Sequence, residues 1–289
     1  MIPLFNQLSK EEADTYSLVL SSAGIGNRVV RAGDGFRIDV PEPFATAAAM
    51  AINRYLEENP PAVEPDRPIS NRTLPKNFSG VIVALVLLCV HLAVMRSASP
   101  ADYVDAFGAN ARRIVSGEVY RSATALVLHA DDAHIAGNMV GAALFGGAVC
   151  AATGTGVGWL MILACGILGN LINAWVYETG HISIGASTAI FGAVGILCAL
   201  QAMLALFSGR GWRRAAMAFG AGVALLAFMG ASARSDLSAH LFGFLWGLPM
   251  GVIFQLRKGR IPGPKGQTIC GAIAAIILVA AWLQGAATA

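Results

Sequence analysis

From residue 78 onward the apolar positions neither alternate nor recur in stripes; they run on. Seven near-continuous apolar segments, 78–95, 133–152, 157–177, 183–207, 213–231, 236–256 and 268–286, are separated by polar breaks. Each is close to the ~20 residues that a helix needs to cross the hydrocarbon core of a bilayer. A helix that is apolar all round has no face to offer water. The pattern therefore predicts seven membrane-spanning helices. The stretch 96–132 is mixed, neither a clean span nor a plain polar loop.

Residues 1–60 read differently. Ser9 followed by Glu12 is a capping-box pattern and predicts a helix over about 10–22. NRVVRAGDGFRIDV, 27–40, predicts two strands around a Gly-Asp-Gly turn. The Ala-rich stretch 44–59 predicts a second helix. The sum is a small soluble α-β-β-α unit, placed on the cytosolic side and without evident chemistry. Residues 61–77 are Pro-rich and polar and read as a linker.

Composition agrees with the membrane reading. The chain is 56% hydrophobic and 13% charged, with a mean hydropathy of +0.62, whereas soluble domains are about one quarter charged. The net charge of +3 is small and says nothing of nucleic acid; there is no basic run with interleaved aromatics, and no nucleic-acid partner is expected. Cys89, Cys150, Cys165, Cys198 and Cys270 lie in or beside apolar runs without metal-binding spacing and read as small apolar fillers. No metal, organic cofactor or ATP motif is expected. The N-terminus has no basic region followed by an apolar one, so no cleaved signal peptide is expected.

Cationic residues near span ends set the orientation. With the N-terminus inside, Arg67, Arg72, Lys76, Arg210, Arg213, Arg214, Arg257, Lys258, Arg260 and Lys265 are cytoplasmic, and Arg96, Arg112, Arg113, Arg121 and Arg234 face the other side. The second, fourth and sixth spans then begin in the same outer leaflet. The second opens with His134 and Asn138, the fourth with Ser187 and the sixth with His240. Each group alone has a plain reading: Ser187 as a small packing residue, Asn138 as interhelical glue. Their agreement in depth and side is what points to chemistry.

A serine hydroxyl is a weak nucleophile until a base takes its proton, and an imidazole titrating near neutrality can do so. An acyl tetrahedral intermediate needs donors aimed at its oxyanion. His134, Asn138 and the Ser187 backbone N–H can supply them. No carboxylate is placed to orient His240; Asp236, four residues earlier, reads as the helix N-cap. The residues thus point to a Ser187–His240 dyad. Phe191, one turn below Ser187, can pack on the imidazole. Gly243, Gly247 and Gly251 form a GxxxGxxxG face, and Gly185, Gly192 and Gly195 thin the fourth span, so the two helices can approach closely.

HIAGN (134–138), GASTAIFG (185–192) and AHLFG (239–243), in that order, resemble the rhomboid intramembrane serine proteases. GEVYRSATALVLHADDAH (117–134) also looks like that family's stretch leading into its second span. Two departures stand out: Thr188 where glycine is usual, and Tyr120 where tryptophan is common. The resemblance implies an all-α polytopic membrane protein: a six-helix rhomboid-like bundle over 78–260, then an added seventh transmembrane helix within 261–289, all preceded by the small α+β N-terminal cytosolic unit. It implies Ser187 as nucleophile, His240 as base, and His134 and Asn138 in the oxyanion hole, with Gly185, Phe191 and Gly243 in support. It places the protein in a bacterial inner membrane with the active site facing outward. Its partners would be the lipid bilayer and transmembrane protein substrates. The oligomeric state is not legible. The alternative is a catalytically silent rhomboid-like factor that binds membrane proteins; retention of both Ser187 and His240 argues against it. A transporter would place polar groups through the midplane, and the cluster stops at one leaflet.

Overall fold

The structure is a computed structural model, and it describes residues 1–33, 35–59, 77–177, 181–209, 211–230, 236–257 and 259–288. Asp34 of the expected Gly-Asp-Gly turn, nearly all of the expected linker, and Arg67, Arg72, Lys76, Arg210, Arg234 and Lys258 of the charge argument lie outside the described residues. The chain divides into two compact units, Met1–Asn71 and Arg72–Ala289.

The first unit runs β1 (Ile2–Leu8), α1 (Lys10–Ser22), β2 (Arg28–Ala32), β3 (Gly35–Val40) and α2 (Ala45–Glu58). Ser9 and Glu12 close the expected capping box: the Glu12 carboxylate accepts from the Ser9 N–H at 2.8 Å, and the Ser9 hydroxyl from the Glu12 N–H at 3.2 Å. The strands form an antiparallel sheet in the order β1-β3-β2, covered by a core of Leu20, Ile25, Ile38, Val40, Ala48 and Ile52. The unit is therefore β-α-β-β-α, one strand more than expected. β1 hides because Pro3 and the polar pair Asn6-Gln7 interrupt its alternation, and its register shifts twice along β3.

The second unit is helical. It comprises α3 (Ser79–Met95), α4 (Pro100–Phe107), α5 (Ala111–Val115), α6 (Arg121–Thr124), α7 (Asp132–Gly141), a π-turn (Ala142–Gly146), α8 (Gly147–Thr153), α9 (Thr155–Tyr177), α10 (Ser187–Phe207), α11 (Trp212–Gly230), α12 (Leu237–Leu256) and α13 (Pro264–Thr288). Six of the seven apolar runs are helical nearly throughout, and the fourth is helical from Ser187 on. Among the described residues five helices are long and apolar enough to cross a membrane: Asp132–Thr153, α9, α10, α12 and α13. α3 joins them only together with α4, from which it turns by 120°. α11, which opens Trp-Arg-Arg, is not among them. The chain is thus a multi-pass membrane protein with five to six candidate spans.

Two features position the site. α10 and α12 are in close contact because a Cβ at Gly243 would overlap the Thr188 carbonyl, and one at Gly247 the Gly192 carbonyl. The mixed stretch 96–131 folds into short helices held by a two-residue antiparallel ladder, β4 (Ala109–Asn110) with β5 (Ile182–Ser183). Its anchor is Arg121, 1% exposed, which donates to the Glu118 carboxylate and to the Asp105 carbonyl, both at 2.5 Å. Tyr120 uses its hydroxyl to reach α13, accepting from Thr288 Oγ1 at 3.2 Å.

α13 is also held at its other end. Gln267 Oε1 accepts from the N–H groups of Gly156 and Val157 at 2.8 and 3.1 Å, and its Nε2 donates to the Thr153 carbonyl at 3.2 Å. One side chain thereby satisfies two helix ends where α8 gives way to α9. Gln267→Leu strands three backbone groups, each worth about 1–3 kcal/mol when left unpaired. It is expected to lower the apparent unfolding temperature in detergent by roughly 5 °C or more, read by nanoscale fluorimetry.

Candidate active site

The three helices expected to share a depth bring their polar residues together within their first two turns. Asp131 caps α7, accepting from the His134 N–H at 2.8 Å, and His134 and Asn138 follow on one face, one turn apart. Ser187 is the first residue of α10, so its N–H has no carbonyl one turn earlier in the helix. The fourth apolar run predicts a helix from 183; in the structure 182–183 is strand and the chain turns at Gly185, whose φ is 122°. That left-handed conformation favours glycine. A Cβ there would also crowd the His134 imidazole and the Asn138 amide. Gly185 thus brings the backbone against the two polar side chains of α7.

His240 sits in the first turn of α12. Its Nε2 lies 2.8 Å from Ser187 Oγ, and its ring stacks on Phe191 with centroids 4.7 Å apart. It is 6% exposed, and its Nδ1 is buried without a hydrogen-bond partner among the described residues. Asn138 Nδ2 is likewise buried and unpaired. Gly243 holds α12 against Thr188. The methyl group of Thr188 is accommodated because Gly169 of α9 and Gly243 both leave room for it. All seven residues singled out from the sequence therefore converge at one end of the bundle.

Asp236 caps α12 as expected: its Oδ1 accepts from the Ala239 N–H at 3.0 Å. Burial would raise its carboxyl, but hydrogen bonds from the Ala239 N–H, His181 and Ser238, together with the His181 charge, hold it below the ordinary aspartate value. A depressed folded value contributes stability above the unfolded value of 3.8 that is lost as pH falls through the lowered one. The unfolding temperature is accordingly expected to drop on acidification below about pH 4, and Asp236→Asn to flatten that drop, as followed by thermal unfolding between pH 3 and 6.

Sequence reasoning missed a second tier of residues. His129 lies 5.2 Å, ring to ring, from His134 and 6.3 Å from His91 of α3. Its Nε2 is 3.5 Å from the Ala186 N–H, beside the serine. Burial, helped by the charges of His134 and His91, pushes the His129 imidazole down to about 3, so it stays neutral and able to accept. His91 Nε2 in turn meets Asp132 at 3.2 Å, joining α3 to the start of α7. The stretch 117–134 contained His129, but no local pattern marks His91, 38 residues earlier.

Fold and site together define a class: a multi-pass helical membrane protein in which a serine and a histidine from adjacent helices meet near one end of the bundle. A family model described as the Rhomboid domain matches residues 116–257, which include Ser187, His240, His134 and Asn138. The chain belongs to the rhomboid family. It is 30% identical over 213 residues to the Rhomboid protease GluP of Bacillus subtilis, a match covering 71% of this chain and 40% of the relative. It is 29% identical over 137 residues to Rhomboid-like protease 2 of Toxoplasma gondii, covering 43% of this chain and 47% of that one. The matches thus span less than half the length of either relative.

Proposed function

We propose that the chain is an intramembrane serine endopeptidase that hydrolyses peptide bonds within or near the transmembrane segments of other membrane proteins. The observation that carries this reading is the 2.8 Å approach of Ser187 Oγ to His240 Nε2 inside a rhomboid domain. The relatives named as rhomboid proteases support it.

In this reading His240 takes the Ser187 proton as Oγ attacks the scissile carbonyl, then gives it to the leaving amine. The acyl-serine is hydrolysed by water that His240 deprotonates in the second half-reaction. Negative charge on the tetrahedral oxygen is met by Asn138 Nδ2, the His134 imidazole and the Ser187 N–H at the start of α10, where the helix dipole also favours it. The pair works as a dyad: the Asp236 carboxylate is occupied by the α12 cap, and His240 Nδ1 has no partner among the described residues. The site faces the outer leaflet, as the cationic residues suggest, and its substrates are single-span proteins that unwind locally near that leaflet.

A fluorophosphonate phosphonylates an activated serine hydroxyl. Mass spectrometry of the labelled protein is expected to find the adduct on Ser187 and to lose it in His240→Ala. An adduct on another residue, or labelling of Ser187 indifferent to His240, would sink the assignment.

A further inference from the structure

Asp236 makes more contacts than a helix cap requires. Its Oδ1 serves the first turn of α12, accepting from the Ala239 N–H at 3.0 Å and the Ser238 hydroxyl at 2.7 Å. Its Oδ2 accepts from two other elements, Asn173 Nδ2 at 2.9 Å and His181 Nε2 at 2.6 Å. Capping needs only one oxygen, and Ser, Thr or Asn would supply it. The second oxygen gathers a 2%-exposed asparagine near the end of α9 and a histidine on the segment that leads through β5 to Ser187. His181 is itself held in place: its carbonyl accepts from the Ala111 N–H at 2.9 Å, and its ring stacks on Tyr177 at 4.8 Å.

The position of this carboxylate gives the contacts a consequence. Ser187 and His240 belong to different helices, so their approach depends on how the ends of α10 and α12 are held. Deeper in the bundle, glycine contacts set that spacing. At the site end, His181 precedes Ser187 by six residues and Asp236 precedes His240 by four. The carboxylate therefore ties the segment bearing the hydroxyl to the helix bearing the imidazole. We propose that Asp236, gripped by His181 and Asn173, is a positioning latch that fixes the first turn of α12 against the Ser187 segment and so sets the Ser187–His240 contact. The proposal rests on Ser187 and His240 being the reacting pair; neither His181 nor Asp236 touches substrate.

The chemistry suggests variants that separate latch from cap. Asp236→Asn keeps a capping oxygen and nearly the same volume, but turns an NH2 toward two donors. His181→Phe keeps a ring against Tyr177 and loses the donor. His181→Gln restores a donor. The experiment measures fluorophosphonate labelling of Ser187 and the kcat and KM for a reporter transmembrane substrate, in liposomes, for wild type and the three variants. Misplacement of reacting groups by a fraction of an ångström to 1 Å costs up to about 10²-fold. His181→Phe and Asp236→Asn are therefore expected to lower kcat and labelling rate roughly tenfold with KM nearly unchanged, and His181→Gln to return to within about threefold of wild type. Unchanged kcat in His181→Phe, an effect confined to KM, or a His181→Gln as slow as His181→Phe would overturn the latch. The His181 pair carries the test even if Asp236→Asn fails to fold, because that side chain is 34% exposed and its loss leaves the α12 cap in place. Wild type without Ser187-dependent labelling would remove the protease reading itself; normal wild-type labelling that the variants do not alter would remove only the latch.

Discussion

His240→Ala is expected to lower the kcat of peptide hydrolysis by about 10⁴-fold or more, and the double variant Ser187→Ala/His240→Ala to be no slower than either single one. Among the described residues, the base that meets the Ser187 hydroxyl is His240, through Nε2 at 2.8 Å. Without it Oγ attacks as a neutral alcohol and the leaving amine departs unprotonated. Groups that act as a unit are lost as a unit, so the second substitution has nothing left to remove. Thermal unfolding should be little changed in Ser187→Ala, which deletes one oxygen at the first residue of α10. Single-turnover kinetics on the three variants check this. Effects that multiply between the two sites would mean that they act independently and that the dyad is wrong.

The second large effect concerns Asn138. Its Nδ2 is buried beside Gly185 and has no partner among the described residues. An oxyanion-hole donor is worth about 10²–10³ in kcat, and Asn138→Ala is expected to lose that much with KM within about twofold of wild type. The stability expectation runs the other way. Removing a donor that is already unpaired relieves a desolvation cost of about 1–3 kcal/mol, which offsets the small void left behind, so the unfolding temperature should hold or rise. Activity and stability moving apart is what separates a group kept for a transition state from one kept for packing. A variant that loses both together would assign Asn138 to the core instead.

The sequence disclosed whatever depended on runs and local spacing. Seven apolar segments became helices because a backbone in hydrocarbon satisfies its hydrogen bonds internally, and the Ser9-Glu12 pair marked the start of α1 to the residue. Ser187, His240, His134 and Asn138 were legible because each opens a helix on the same side. What escaped was long-range or irregular. β1 exists only because β3 lies beside it. The start of α10 at Ser187, not at 183, follows from Gly185 adopting a positive φ that no apolar pattern records. The His91–His129–His134 series and the grip of Asn173 and His181 on Asp236 join residues 5 to 63 positions apart. Side chains meeting across a bundle leave no periodicity to read. The departure at Thr188 became intelligible only with Gly169 and Gly243 in place around it.

Cleavage of a reporter transmembrane protein in liposomes, with EDTA present, tests the central claim most directly when wild type is compared with Ser187→Ala. The account predicts a defined cleavage product from wild type, unaffected by the chelator, and none from Ser187→Ala. Equal cleavage by both proteins would contradict it.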